Sequence, residues 1–142
     1  MSIWYAFIAK DHETILTEYF YDQSMPKSAA NIDKLIKQSV NILNNSIILP
    51  KNPKYTLYTS HEIFIFGWIC ESTIYRDKAI RFLNEIKYEF KAVYTAPFKK
   101  STLTSMSLND SFKNSWEKIL NNYDTGINQN KVNLAFEQLD QV

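Results

Sequence analysis

The chain has 142 residues, which fits one domain and is long enough to bury a core without disulfide staples. Hydrophobic residues make up 45% and charged ones 22%, the balance of an ordinary globular chain. Sixteen Lys and Arg against fifteen Asp and Glu leave a formal charge of +1. That argues against nucleic acid as the main partner, because phosphate contacts need a basic surplus.

Ile3 to Lys10 opens the chain with a continuous apolar run and predicts a strand covered on both faces. Asp11-His12-Glu13 breaks it. Thr14 to Tyr21, rich in β-branched and aromatic residues, completes a hairpin, and the two strands are expected at the centre of a sheet. After the loop at Pro26, Ser28 can cap a helix reaching about Asn44, with Ile32, Leu35, Ile36, Val40 and Leu43 on one stripe. Three extended pieces follow: Ser46 to Pro50, Tyr55 to Ser60 and Ile63 to Cys70. Proline at Pro50 and Pro53 marks the first as an edge strand, and Gly67 in the last suggests a bulge or close packing.

The spacing of Ala79, Phe82, Leu83, Ile86, Phe90, Val93 and Tyr94 predicts a helix over 74–94. Ser107-Leu108-Asn109-Asp110 resembles a capping box with Asp in place of Glu, and opens a helix to about Tyr123. Phe112, Trp116, Ile119, Leu120 and Tyr123 are its inward residues. Asp124-Thr125-Gly126 ends it. In the tail, Val132, Ala135, Leu139 and Val142 step by three, four and three, a coiled-coil spacing over less than two heptads. The element order is β-β-α-β-β-β-α-α plus a tail, an α/β (α+β) chain with a five-stranded antiparallel sheet and helices on both faces.

Chemistry-bearing motifs are scarce. His12 and His61 fall in predicted turns without a metal-ligand spacing, so no metal or cofactor is expected. Two glycines, Gly67 and Gly126, cannot build a phosphate-cradling loop. Cys70 cannot close an internal disulfide; in its apolar run it reads as a buried structural thiol. Trp4, Trp68 and Trp116 read as core. An enzymatic site assembled from scattered residues is the third-ranked reading, behind two binding ones. No apolar run approaches the ~20 residues that span a bilayer, and the N-terminus lacks the pattern of a secretory signal. A soluble cytosolic chain with no membrane span is expected.

Taken in order, these segments resemble a family. Tyr5-Ala6-Phe7-Ile8-Ala9-Lys10 with Thr14-Ile15-Leu16 is similar to the first hairpin of the longin domain found at the N-terminus of long vesicle-associated R-SNAREs (synaptobrevin-like proteins). Phe82-Leu83-Asn84-Glu85-Ile86-Lys87 with Phe90 and Tyr94 resembles its second helix, and Ser107 to Phe112 the start of its third. Lys131-Val132 through Val142 resembles the beginning of an R-SNARE coiled-coil motif, with Val132, Ala135, Leu139 and Val142 as its layers.

The resemblance implies a profilin-like longin fold over 1–124, with one helix on one face of the sheet and two on the other. It makes 125–142 a linker and the first layers of a SNARE motif, without the central arginine layer or an anchor. It implies a regulatory domain on the cytoplasmic face of endomembranes or vesicles. The partner is its own SNARE motif, cognate SNAREs, or a coat or adaptor protein. The groove would lie between the first helix and the third strand, at Ile32, Ile36, Leu43, Ile47, Ile48 and Leu49. An edge strand offers unpaired backbone groups and the adjacent stripe offers pockets, so the physics agrees. The runner-up is a longin-like small subunit of a tethering or adaptor complex.

Overall fold

The computed structural model describes residues 3–11, 13–22, 44–49, 52–95 and 102–124. Five strands form one antiparallel sheet: β1 (Ile3–Asp11), β2 (Thr14–Phe20), β3 (Asn44–Ile48), β4 (Tyr55–His61) and β5 (Ile65–Glu71). Their spatial order is β2-β1-β5-β4-β3. Two helices follow, α1 (Arg76–Val93) and α2 (Asn109–Asp124).

The apolar run that opens the chain becomes an inner strand, and every residue from Ile3 to Ala9 is fully buried. Strict alternation would put Trp4 on the face of Ala6 and Ile8. A register shift between Ile3 and Tyr5 instead leaves Trp4 beside Tyr5 and Phe7, on the opposite face from Ile3, Ala6 and Ile8. A second shift, against β2 between Ile8 and Ala9, leaves Leu16 bulged, so that it joins the first face while Ile15 keeps the second.

The first face carries the larger core. Ile3, Ala6, Ile8, Leu16, Phe66, Trp68 and Cys70 of the sheet meet Ala79, Phe82, Leu83, Ile86 and Phe90 of α1 and Phe112, Trp116 and Ile119 of α2. The helices run antiparallel. Phe82 meets Tyr123 at one end (5.3 Å), and Tyr94 stacks on Phe112 at the other (6.1 Å). All three tryptophans are fully buried, as their positions predict. The indole N–H groups of two are satisfied: Trp68 Nε1 donates to the Ala79 carbonyl (3.1 Å) and Trp116 Nε1 to Thr17 Oγ1 (2.9 Å). Gly67 is a close-packing glycine. A Cβ there would lie 2.4 Å from Phe7 Cε1 and Cζ.

Several boundaries differ from the expectation. β3 begins at Asn44, where the predicted helix was to end, and stops at Ile48. β5 begins at Ile65, leaving Ile63 in a turn and 75% exposed. α1 is shorter than 74–94, and Val93 faces partly outward. His61 is the last residue of β4, not a turn residue. α2 opens at Asn109, two residues past the predicted Ser107 cap, and the Asn109 side chain reaches β2.

The larger correction concerns β2. It is an edge strand, not a central one; β5 takes the middle of the sheet. β2 reads as interior because segment 106–109 lies where a neighbouring strand would. The Met106 N–H donates to the Ile15 carbonyl (2.7 Å) and the Leu108 N–H to the Leu16 carbonyl (3.0 Å). Asn109 Oδ1 accepts from the Glu18 N–H (3.2 Å) and from Thr17 Oγ1 (3.1 Å).

Candidate functional site

The sheet ends in two edges, and they differ. The β2 edge has its outward backbone groups at Ile15, Leu16 and Glu18 occupied by 106–109. At the other edge, β3 pairs with β4 alone among the described residues, through Asn44↔Ser60 to Ile48↔Thr56. A strand paired on one side presents its other row of N–H and C=O groups outward, which is the geometry of strand addition.

Around β3 the side chains divide by the two-residue period of a strand. Ile47 and Leu49 turn to the second face, which holds Trp4, Tyr5, Phe7, Leu57 and Ile69. Leu49 is 1% exposed and is held by its N–H on the Tyr55 carbonyl (3.0 Å), while Ile47 is half-buried. Ile48 points to the opposite face and is 61% exposed. Ser46, on the side of Ile48, accepts a hydrogen bond from Arg76 Nη1 (3.3 Å), which fastens the start of α1 beside the edge. The three strand residues expected to line one groove therefore separate: Ile47 and Leu49 share a face, and Ile48 does not. Ile32, Ile36 and Leu43 lie outside the described residues, as do Val132, Ala135, Leu139 and Val142.

The second face differs from the first in what covers it. Its buried cluster contains Trp4, Tyr5, Phe7, Ala9, Ile15, Leu49, Leu57, Ile65 and Ile69, all from strands or the residue after β3. Neither α1 nor α2 contributes to it.

Among the described residues, the groups whose acidity departs from the ordinary value are spread over several strands and α1. Burial, with Glu71 adding to it, pushes the Cys70 thiol up to about 12, so the nucleophilic thiolate is suppressed. Burial lowers His61 below the ordinary imidazole value. Burial pushes the Asp11 carboxyl up, but hydrogen bonds from Glu13 and Thr14 outweigh it and hold the group low. Asp11 and His61 stand toward the same end of the sheet on β1 and β4, with β5 between them. That separation is two inter-strand spacings, about 10 Å of backbone. In the α1–α2 seam, Glu89 accepts from Ser115 Oγ (3.3 Å) and pairs with Lys118 (3.5 Å). One turn away, burial and then the Glu89 charge raise Glu85, against an opposing pull from Lys118. Among the described residues, no group of three or more His, Cys, Asp or Glu could hold a metal ion. Among them, too, no helix is long and apolar enough to cross a membrane. His12 lies outside the described residues.

Sequence reasoning missed Asn109 and Met106, which together close the β2 edge. Their role depends on a contact across more than ninety positions of chain, between Asn109 and Thr17, which no local pattern encodes. No family model matches the chain, and no curated protein matches it.

Proposed function

We propose that this chain is a regulatory longin domain of an R-SNARE-like protein, acting in vesicle trafficking and membrane fusion by binding and not by catalysis. One observation carries the reading. The third strand of a β-β…β-β-β-α-α chain stands at the edge of a five-stranded antiparallel sheet, with the last two helices side by side on one face. That is the arrangement the longin resemblance implies.

In this reading the helix expected from Ser28 to Asn44 covers the second face. Support comes from that face itself: it is a closed apolar cluster to which neither described helix contributes. Ile47 and Leu49 are turned toward the same side, so Ile32, Ile36 and Leu43 of the helix would complete the groove with them. Ile48, directed the other way, would contact a ligand only across the edge. The ligand is an amphipathic SNARE helix, from 125–142 and its continuation, or an adaptor segment of the same chemistry. Residues 1–124 form the domain, and it works on the cytoplasmic face of endomembranes.

A second reading, a longin-like small subunit of a tethering or adaptor complex, draws on α1. Tyr88 stands 74% exposed there, a single aromatic that a permanent subunit could cover. Calorimetric titration of the chain with a soluble R-SNARE-motif peptide separates the two. Saturable one-to-one binding that Ile47→Asp, at the half-buried edge position, abolishes in a folded chain and Tyr88→Ala leaves intact supports the first. Absence of binding by a folded chain sinks it.

A further inference from the structure

We propose that segment 104–109 is a guard that keeps β2 from pairing with the β2 of a second copy of this chain, and that releasing it converts the chain into a two-fold dimer. The proposal stands apart from the longin reading and rests on the β2 edge alone.

Four contacts hold the guard. Met106 and Leu108 donate their N–H groups to the Ile15 and Leu16 carbonyls, and Asn109 Oδ1 accepts from the Glu18 N–H and Thr17 Oγ1. Met106, which makes the first of these contacts, takes a left-handed backbone, with φ 59°, a conformation that disfavours a residue with a side chain. Leu103 and Leu108, both buried, anchor the segment on either side, while residues 104–107 are exposed. The guard is thus strained at its centre and built to lie in one place.

What it covers fits a second copy of itself. The Leu16 carbonyl and the Glu18 N–H both point away from β1, since 106–109 reaches them from outside. In a two-fold antiparallel pairing centred on Thr17, Leu16 stands opposite the other copy's Glu18, so those two outward groups meet. The bulge at Leu16 confines the regular part of that register to 16–18, since the Ile15 carbonyl beyond it also turns outward. β2 carries one charged residue, Glu18, and in this register the two glutamates are not opposed. A seven-residue strand of β-branched and aromatic residues without opposed charges is the sequence that edge protection exists to restrain. A two-fold pairing also closes after two copies.

The test uses the whole chain. Light scattering during size exclusion is recorded for the wild type, Asn109→Ala, and Asn109→Ala with Met106→Pro, which removes the N–H and forbids the left-handed backbone. The expected result is a monomeric wild type and a doubling of mass, rising with concentration, in the released variants. Adding Glu18→Pro, which deletes an outward N–H, should restore the monomer. Circular dichroism establishes folding, and if the double variant does not fold, Asn109→Ala alone decides. A folded released variant that stays monomeric overturns the proposal. So does a dimer that survives Glu18→Pro.

Discussion

The same substitution, Thr→Val, should have opposite consequences at two buried positions. Thr17 is fully buried, and its hydroxyl bridges two elements, accepting from Trp116 Nε1 at 2.9 Å and donating to Asn109 Oδ1 at 3.1 Å. Valine keeps the shape and removes the bridge. Asn109 Oδ1 retains the Glu18 N–H, but the indole N–H of Trp116, itself fully buried, loses its partner. A buried donor left unpaired costs about 1–3 kcal/mol.

Thr59 is 1% exposed, and its hydroxyl has no hydrogen-bond partner among the described residues. There valine removes a penalty already present and adds a buried methyl, so the change is neutral or stabilising by about 1 kcal/mol. Urea unfolding reads both. With a slope near ~2 kcal/mol/M, Thr17→Val should lower the midpoint by about 0.5–1.5 M while Thr59→Val holds or raises it. A Thr17→Val chain no less stable than Thr59→Val would show that the Thr17 bridge does not hold the fold.

Gly67→Ala should destabilise by about 1–3 kcal/mol, since the new methyl meets the Phe7 ring at 2.4 Å; Phe7→Leu in the same chain should recover part of the loss, checked by thermal unfolding. The Glu85 carboxyl titrates above its unfolded value of 4.5, so the folded chain is favoured below that pH and loses the advantage as pH rises through the higher folded value. Glu85→Gln should therefore gain in melting temperature over the wild type on going from pH 4.5 to pH 8, and an unchanged difference would discard the seam as the cause. Cys70 should be silent to a thiol reagent in native buffer and react fully in denaturant. Because its folded value of about 12 exceeds the unfolded 9.0, stability should also fall as pH rises past about 9, and Cys70→Ser should flatten that fall.

Much of this fold is legible in the sequence where one local signal decides. The unbroken run from Ile3 to Ala9 announced an inner strand, the spacing from Ala79 to Phe90 a helix face, and Gly67 a close approach. What was not legible depends on distant partners. β2 looked central because its composition reflects being covered, and composition does not say whether a strand or the 106–109 segment covers it. Trp4 broke alternation through a bulge, a backbone event with no residue signature here. Of the residues expected to line a groove, only Ile47, Ile48 and Leu49 fall within the described residues. Ile47-Ile48-Leu49 reads as one patch, yet the strand period sends its middle residue to the other face.

Backbone NMR of the chain titrated with an R-SNARE-motif peptide locates the proposed docking site, which lies between the β3 edge and the helix expected to cover the second face. The longin reading predicts shifts concentrated at 44–49, with 14–20 unmoved. Shifts confined to α1 and α2, or to β2, would contradict it.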